Sequence, residues 1–174
     1  MSKIATKTIQ YSIYDRTSGK AQFVDDTKTY TRPEIAMMSD GLSGSGIMGE
    51  IDLPTPGQLD SMEFELALNK TNARAIEMFA PCAHTIEARW VTNVLDTATG
   101  NSKVQANKEI IKYLPKTLSQ GDVENNETNE GTLAGEVLTY EHIIDGKSVM
   151  KIDKLNCVFI VNGKDYYSDI RKAL

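Results

Sequence analysis

The sequence predicts a mainly β fold, an antiparallel β-sandwich or barrel that carries one packed α-helix. Apolar residues recur at every second position in several segments, as in half-buried strands, and only one segment has helical spacing. The chain has 174 residues, of which 40% are hydrophobic and 25% charged, which is an ordinary globular balance. We therefore expect a single domain over residues 1–174 that buries its own core.

The alternation is clearest in residues 8–14, 62–68 and 84–94. In each segment apolar side chains occupy every second position and mostly polar side chains the positions between them, which places the two sets on opposite faces of a strand. The residues predicted to face the core are Ile9, Tyr11, Ile13, Met62, Phe64, Leu66, Leu68, Ile86, Ala88, Trp90 and Val94. Further strands are predicted near 34–38, 49–53, 103–114, 132–144, 148–153 and 155–161.

One segment has the pattern of a helix. Asn72 can cap its start, and Pro81 stops it. The residues expected on its packed face are Ala73, Ile76, Phe79 and Ala80. A second short helix is expected to close the chain from Asp165 to Ala173.

Two stretches are predicted to be loops. Residues 40–49 hold four glycines and two serines. Residues 119–131 hold only acids among their charged residues, namely Asp122, Glu124, Glu127 and Glu130. These acids lack the spacing and the terminal bidentate glutamate of a calcium-binding EF-hand, so a solvated surface loop is the favoured interpretation.

Composition also bears on several classes of protein. The formal net charge of −5 argues against nucleic-acid binding, which depends on clustered Lys and Arg. No apolar run approaches the roughly 20 residues of a membrane helix, so we expect no membrane insertion of the monomer. The polar N-terminal segment lacks a signal core, which favours folding in a cytoplasm. Cys82 and Cys157 are expected to be buried free thiols, although a disulfide remains open.

A glycine fingerprint for dinucleotides is present at residues 44–49. The physical basis of that motif is a helix N-terminus that follows the glycines and holds the pyrophosphate. Here the glycines lead instead into Glu50–Pro54, which has the character of a strand ended by a proline. A turn between two strands is therefore the better interpretation.

Other candidate catalytic groups are equally weak. Glu63 and Glu65 share a face of one strand, which is more often a solvated face than a carboxylate pair for glycoside hydrolysis. His84 and His142 lack partners at metal-ligand spacing, and no local signature supports a Cys157–His142 nucleophile pair. We predict no enzyme, no metal and no cofactor. On these residues alone, a monomeric β-sandwich binding module and an assembly subunit both remain open.

The last third of the chain carries several turn residues at characteristic spacings. They are Tyr140-Glu141, Asp145-Gly146-Lys147, Ile152-Asp153, Asn156, Val161-Asn162-Gly163-Lys164-Asp165 and Arg171. This pattern resembles the C-terminal signature of the major tail tube proteins of contractile-tailed phages and of R-type phage tail-like bacteriocins. Upstream, Gly44, Gly46, Gly49 and Asp52 resemble the glycine-rich segment of that family and its following strand, and Gly121-Asp122 resembles a pair that precedes the Tyr strand.

Local physics supports the turns in this pattern. Asp145-Gly146 and Asn162-Gly163 are dipeptides favoured by two-residue hairpins, in which both central residues need positive φ. Asp153 and Asn156 flank a chain reversal, where short polar side chains can bond backbone amides.

The resemblance implies a structural subunit with the tail-tube fold. Six subunits would form a ring, their strands would join a ring-wide barrel, and stacked rings would form a rigid tube that conducts DNA in a phage or ions in a bacteriocin. Implied partners are other copies of the chain, the tail sheath protein, the baseplate tube initiator and the tape measure protein, while DNA would pass without adsorbing.

The resemblance also implies where the subunit acts and how it makes contacts. The location would be a virion tail or tail-like particle, assembled in the cytoplasm of a bacterial host. Asp122, Glu124, Glu127 and Glu130 would line the lumen or a ring end, or would lie outside and face the sheath. Residues 40–49 and the N-terminal segment would make contacts between subunits or rings.

Overall fold

The computed structural model describes residues 3–173, and strands dominate them. The strands are β1 Lys3–Asp15, β2 Gln22–Phe23, β3 Thr27–Thr31, β4 Met37–Ser43, β5 Glu50–Leu59, β6 Glu63–Leu68, β7 His84–Asp96, β8 Ser102–Ser119, β9 Gly131–Ile144, β10 Lys147–Asp153, β11 Val158–Val161 and β12 Lys164–Asp165. The helices are α1 Ala73–Glu77 and α2 Ser168–Ala173. The mainly antiparallel β class predicted from the alternation is confirmed.

Ten strands form one antiparallel sheet. Its order is β12-β11-β10-β9-β8-β7-β1-β2, and β6 and β3 branch from β9. The branch arises because β9 pairs with β6 over Gly131–Glu136 and with β10 over Thr139–Ile144. The ring of Phe64 on β6 then packs edge-on against Tyr113 of β8, with centroids 4.7 Å apart. A core forms between the branch and the main sheet, and no closed barrel exists within residues 3–173.

Most of the predicted core residues are buried. Met62, Phe64, Leu66 and Leu68 are fully buried, as their alternation indicates. Ile13, Ile86, Ala88 and Val94 are buried, and Tyr11 and Trp90 are half-buried against the same cluster. The prediction that Ile9 faces the core is wrong, since its side chain is 61% exposed. The pairing of β1 with β7 shifts register between Ala5 and Gln10, which breaks the period of two there.

The packed face predicted for the first helix is also wrong. Asn72 caps α1 as expected, because its Oδ1 accepts a hydrogen bond from the Ala75 N–H at 2.9 Å. The buried residues are Ala75 and Met78, whereas Ala73, Ile76, Phe79 and Ala80 are exposed. A helix of five residues turns little more than once, so the spacing does not decide which apolar pair packs. The second predicted helix forms over Ser168–Ala173.

Residues 34–59 differ most from the prediction. Instead of two short strands around a loop over 40–49, β4 and β5 form a separate two-stranded sheet, and residues 40–43 belong to β4. β3, which the sequence did not indicate, adds a strand to β6. β8 extends to Ser119, beyond its predicted end.

Both cysteines are free thiols, as expected, but both are exposed. The prediction that they are buried is therefore wrong. Cys157 lies in a chain reversal with φ of +49°, outside any strand. Within residues 3–173, no helix is long and apolar enough to cross a membrane.

Candidate assembly surfaces

The two-stranded sheet of residues 37–59, which we call the arm, is amphipathic. The cross-strand pairs Leu42–Ile51 and Asp40–Leu53 share one face, and Ser43–Glu50 and Gly41–Asp52 share the other. The large apolar residues Met38, Leu42, Ile51 and Leu53 are 48–52% exposed. An isolated pair of strands is marginally stable in water. The arm therefore presents an apolar face that has no partner within the described part of the subunit.

The tip of the arm is a glycine turn. Gly46 and Gly49 have φ of +92° and +104°, and the Ile47 N–H donates to the Gly44 carbonyl oxygen at 3.1 Å. A Cβ at any of the three glycines would meet open space. The next element is the strand β5, which carries Asp52, and not a helix. The interpretation of this segment as a turn between two strands is confirmed.

A second surface is the open edge of β1. One side of β1 pairs with β7 from Lys3 to Asp15, while β2 pairs with the other side only at Tyr14 and Asp15. Over residues 3–12 that second side has no strand partner in the described chain. Unpaired strand edges promote association with another chain. This edge is available to a neighbouring strand.

A third surface lies at the end of the sheet where β7 turns into β8. Ile4 faces Leu95 across β1 and β7, and Val104 stands diagonally opposite Leu95 on β8. All three side chains are exposed. They form a small apolar patch beside the open edge of β1.

The turn residues near the C-terminus adopt the expected conformations. Asp145 and Gly146 have φ of +48° and +80°, and Asn162 and Gly163 have φ of +49° and +83°. Positive φ at both central residues is the signature of the type I′ hairpin turn. The turns join β9 to β10 and β11 to β12. Asp145 Oδ1 also accepts from the Ala106 N–H at 3.0 Å, which ties the first turn to β8.

Two carboxylates organise the chain between these turns and its end. Asp153 accepts hydrogen bonds from the N–H groups of Leu155 and Asn156 at 3.0 Å and from Asn156 Nδ2 at 2.7 Å. Burial acts to raise the pKa of Asp153, but these bonds outweigh it and the pKa is lowered. The Arg171 guanidinium pairs with Asp165 and lowers the pKa of that carboxyl. The chain reversal predicted at Asp153 and Asn156 is confirmed.

The acidic loop lies between β8 and β9, at the opposite end of the sheet from the β9–β10 turn. Asp122, Glu124, Glu127 and Glu130 are all exposed, as expected for a solvated loop. Glu130 pairs with Lys28 at 2.5 Å, and both side chains remain about half exposed. Whether these acids face a lumen or a ring end stays a prediction.

Sequence reasoning missed a buried glutamate on the core face of β8. The Glu109 carboxylate accepts from Tyr30 at 2.9 Å, from Tyr140 at 2.5 Å and from Arg32 Nε at 2.8 Å. Burial raises the pKa of both tyrosines, and the negative charge of Glu109 raises it further. Glu109 alternates with Ile111 and Tyr113 on the same face of the strand. An acid on this otherwise apolar face is the signal in the sequence by which it could be found.

A second buried glutamate lies on the opposite face of the sheet. Glu87 accepts from Arg16 at 2.5 Å and from Arg89, and it is fully buried beneath them. Arg89 also stacks over the Tyr14 ring, 4.6 Å from its centroid. The alternation of β7 places Glu87 among its polar residues, and no local pattern indicates that Arg16 and Arg89 cover it.

The groups considered for catalysis do not assemble into a site. Glu63 and Glu65 are exposed, as the solvated-face interpretation predicts. The candidate pair of Cys157 and His142 is not supported by their contacts. The His142 ring stacks on Trp90, with centroids 5.6 Å apart, and the Cys157 carbonyl accepts a hydrogen bond from Arg171. His84 Nε2 lies instead 3.4 Å from Cys82 Sγ. No cluster of three or more His, Cys, Asp or Glu fit to hold a metal occurs within residues 3–173.

Comparison with known proteins decides the family. Residues 18–174 match the family model described as "Phage tail tube protein FII". The chain belongs to this family of phage tail tube proteins. Its role is therefore structural, and it is not an enzyme.

Two solved structures are similar to this tail tube protein. One is titled "Cryo-EM Structure of an Extracellular Contractile Injection System, PVC sheath/tube terminator in extended state", with 11% identity, a TM-score of 0.48 and coverage of 79% of this chain and 94% of that chain. The other is titled "Cryo-EM structure of the anti-feeding prophage (AFP) baseplate, 6-fold symmetrised", with 9% identity, a TM-score of 0.48 and coverage of 80% and 97%. No curated protein matches the chain.

Membership in the family gives the exposed surfaces a context. A tube subunit makes contacts with copies of itself, and such contacts need unpaired edges or apolar faces in the free subunit. The open edge of β1, the apolar patch beside it and the apolar face of the arm are surfaces of that kind.

Proposed function

We propose that six copies of this tail tube protein form a closed ring and that the rings stack into the hollow inner tube of a contractile tail. A tail sheath protein surrounds the tube, and a baseplate initiator and a tape measure protein set its start and length. The tube pierces a cell envelope and conducts DNA in a phage or ions in a bacteriocin. It forms part of a virion or tail-like particle and assembles in the host cytoplasm.

The observation that carries this proposal is the arm. Its ladder joins β4 only to β5, and four large apolar residues stand half exposed on one of its faces. Burying apolar surface contributes about 25 cal/mol per Å². Because the described part of the subunit does not cover this face, docking on another copy is the most direct way to stabilise the arm.

The open edge of β1 supports closure of the ring. An edge of ten residues would join the sheet of one subunit to that of the next, and closure of the ring would leave no free edge. A continuous hydrogen-bonded wall also gives the stiffness that a driven tube needs. The acidic balance of the chain, with a net charge of −5, is suited to passage of DNA without adsorption.

The test compares two substitutions on opposite faces of the arm. Ile51→Asp places a charge on the apolar face, and Asp52→Asn alters only the polar face. Full-length protein is concentrated at near-physiological salt and examined by negative-stain electron microscopy and sedimentation velocity. We expect rings or tubes with a central hole from the parent chain and from Asp52→Asn, and none from Ile51→Asp.

Circular dichroism and thermal unfolding establish that both variants remain folded. A parent chain that stays monomeric at every concentration would contradict the proposal and favour a monomeric β-sandwich binding module. Tubes formed equally well by Ile51→Asp would mean that the apolar face of the arm is not a contact surface.

A further inference from the structure

Tyr167 lies against the backbone of the arm where β5 departs from its ladder. The pairing with β4 shifts register between Met37 and Ser39, so residues 55–58 stand opposite Met38 alone. Gly57, within this bulge, has φ of +81°, and a Cβ there would lie 0.9 Å from the Tyr167 hydroxyl oxygen. Only glycine suits both the backbone conformation and the contact.

The C-terminal segment holds Tyr167 in this place. Its N–H donates to Asp165 Oδ1 at 2.9 Å, and its carbonyl accepts from the Arg171 N–H at 3.0 Å. The Arg171 guanidinium pairs with the Asp165 carboxylate and donates to the Cys157 carbonyl at 2.6 Å. The ring of Phe159 lies 6.4 Å from that of Tyr167. Asp165 and Arg171, two residues of the family signature, thus hold the backbone of Tyr167 in place.

The remaining polar contacts of this region lie at the very base of the arm. The Asp60 N–H donates to the Ala36 carbonyl at 3.0 Å, and Lys154 Nζ donates to the Asp60 carbonyl at 2.9 Å. These bonds fix where the arm begins. They act before the bulge at Gly57, so they do not fix the direction of the strands beyond it.

The hydroxyl of Tyr167 shows which part of the side chain matters. The residue is only 9% exposed, and its hydroxyl oxygen has no hydrogen-bond partner among the described residues. Buried tyrosine hydroxyls normally have a partner. Packing of the hydroxyl end of the ring against the Gly57 backbone, and not a hydrogen bond, is therefore what this residue supplies.

We propose that Tyr167 is a positioning residue for the arm. The hydroxyl end of its ring lies against the bulge at Gly57 and sets the direction in which the arm leaves the subunit. The apolar face of the arm is then already oriented when a second copy arrives, which lowers the ordering cost of docking. The value of this orientation for assembly rests on the proposed tube function.

The direct test measures the direction of the arm in unassembled protein. Ser45→Cys places a thiol at the arm tip, Cys157→Ser removes the thiol near Tyr167, and Cys82 on the body is the second label site. Spin labels on both thiols give a distance distribution by double electron–electron resonance at low protein concentration. We expect one narrow peak in this parent and in Tyr167→Phe, and loss of that peak to a broad distribution in Tyr167→Ala.

Matched controls separate orientation from general destabilisation. Tyr166→Ala removes the adjacent exposed tyrosine and is expected to keep the narrow peak. Gly57→Ala introduces the clash and is expected to move or broaden the peak, whereas Gly44→Ala, at the tip with open space around it, is not. Circular dichroism confirms that each variant is folded.

A narrow, unmoved peak in Tyr167→Ala would overturn the proposal, and so would a distribution that is already broad in the parent. Tube formation by the same variants without labels is the second readout, and we expect tubes from Tyr167→Phe and their loss in Tyr167→Ala. Tubes formed by Tyr167→Ala as readily as by the parent would also overturn it. The resonance experiment uses free subunits, so its result stands even if the parent forms no tubes.

Discussion

Glu109 shows how much of the architecture rests on single buried groups. Arg32 is half exposed, but its partner carboxylate is completely buried, so removing Arg32 leaves an unpaired charge in the core. We expect Arg32→Met to lower the free energy of unfolding by about 1.5–3 kcal/mol, the range for hydrogen bonds to a charged group. Chemical denaturation measures this change.

The matched control for Arg32 is Lys116→Met. It removes the pair with Glu63, in which both side chains are exposed, and should change stability little. A double-mutant cycle with Glu109→Leu should show the double variant losing less than the sum of the single variants, because the buried charge is gone. Equal losses from Arg32→Met and Lys116→Met would contradict this account.

His142 gives the fold a dependence on pH. Burial lowers the pKa of His142 below its usual 6.5, and the nearby Arg32 lowers it further, against an opposing effect of Glu109. Because the unfolded chain then binds a proton at higher pH than the folded chain, the stabilising contribution is fully present above about pH 6.5 and is lost as pH falls below it.

We therefore expect the denaturant concentration at the unfolding midpoint to decrease as the pH is lowered from 7.5 towards the pKa of His142. The dependence of that midpoint on pH should be weaker in His142→Gln. The ring stacks on Trp90, and glutamine keeps a polar group of similar size there. If the midpoint of His142→Gln depends on pH as strongly as that of the parent, the pH dependence belongs to other groups.

At the scale of elements, the sequence predicted strands well wherever one face meets the core. β6 is the clearest case, since Phe64, Leu66 and Leu68 are buried and both its glutamates are exposed. The prediction failed where local spacing has no tertiary partner to fix it. Ile9 lies beyond a register shift, and α1 is too short for its period to select Ile76 and Phe79 over Ala75 and Met78.

The arm illustrates why assembly surfaces were hard to predict from one sequence. Its alternation of apolar and polar residues is the same as that of a half-buried strand, so the pattern does not say whether the buried face lies within the subunit or against another. The family turns were predictable because Asp-Gly and Asn-Gly specify a conformation locally. The contact of Tyr167 with Gly57 joins distant segments and left no local signal.

At the scale of the whole molecule, the two ends of the sheet differ in charge. The acidic loop, in which Asp122, Glu124 and Glu127 form no ion pair with any of residues 3–173, lies at the end where β8 meets β9. Lys3, Lys103 and Lys147 lie at the other end, partly offset by Asp96 and Asp145. Head-to-tail stacking of such subunits brings unlike ends together, which is a heterologous contact that propagates.

The position of the acidic loop therefore decides how tubes respond to salt. If it lies at a ring end, tube formation should weaken as salt rises from about 0.1 M to 1 M, because the Debye length shrinks from about 10 Å to 3 Å. The triple variant Asp122→Asn, Glu124→Gln, Glu127→Gln should form tubes less readily at low salt and lose most of that dependence, as measured by sedimentation. A triple variant with parental yield and salt dependence would contradict the ring-end position and favour a loop that faces the lumen or the sheath, where its charge does not act on the neighbouring ring.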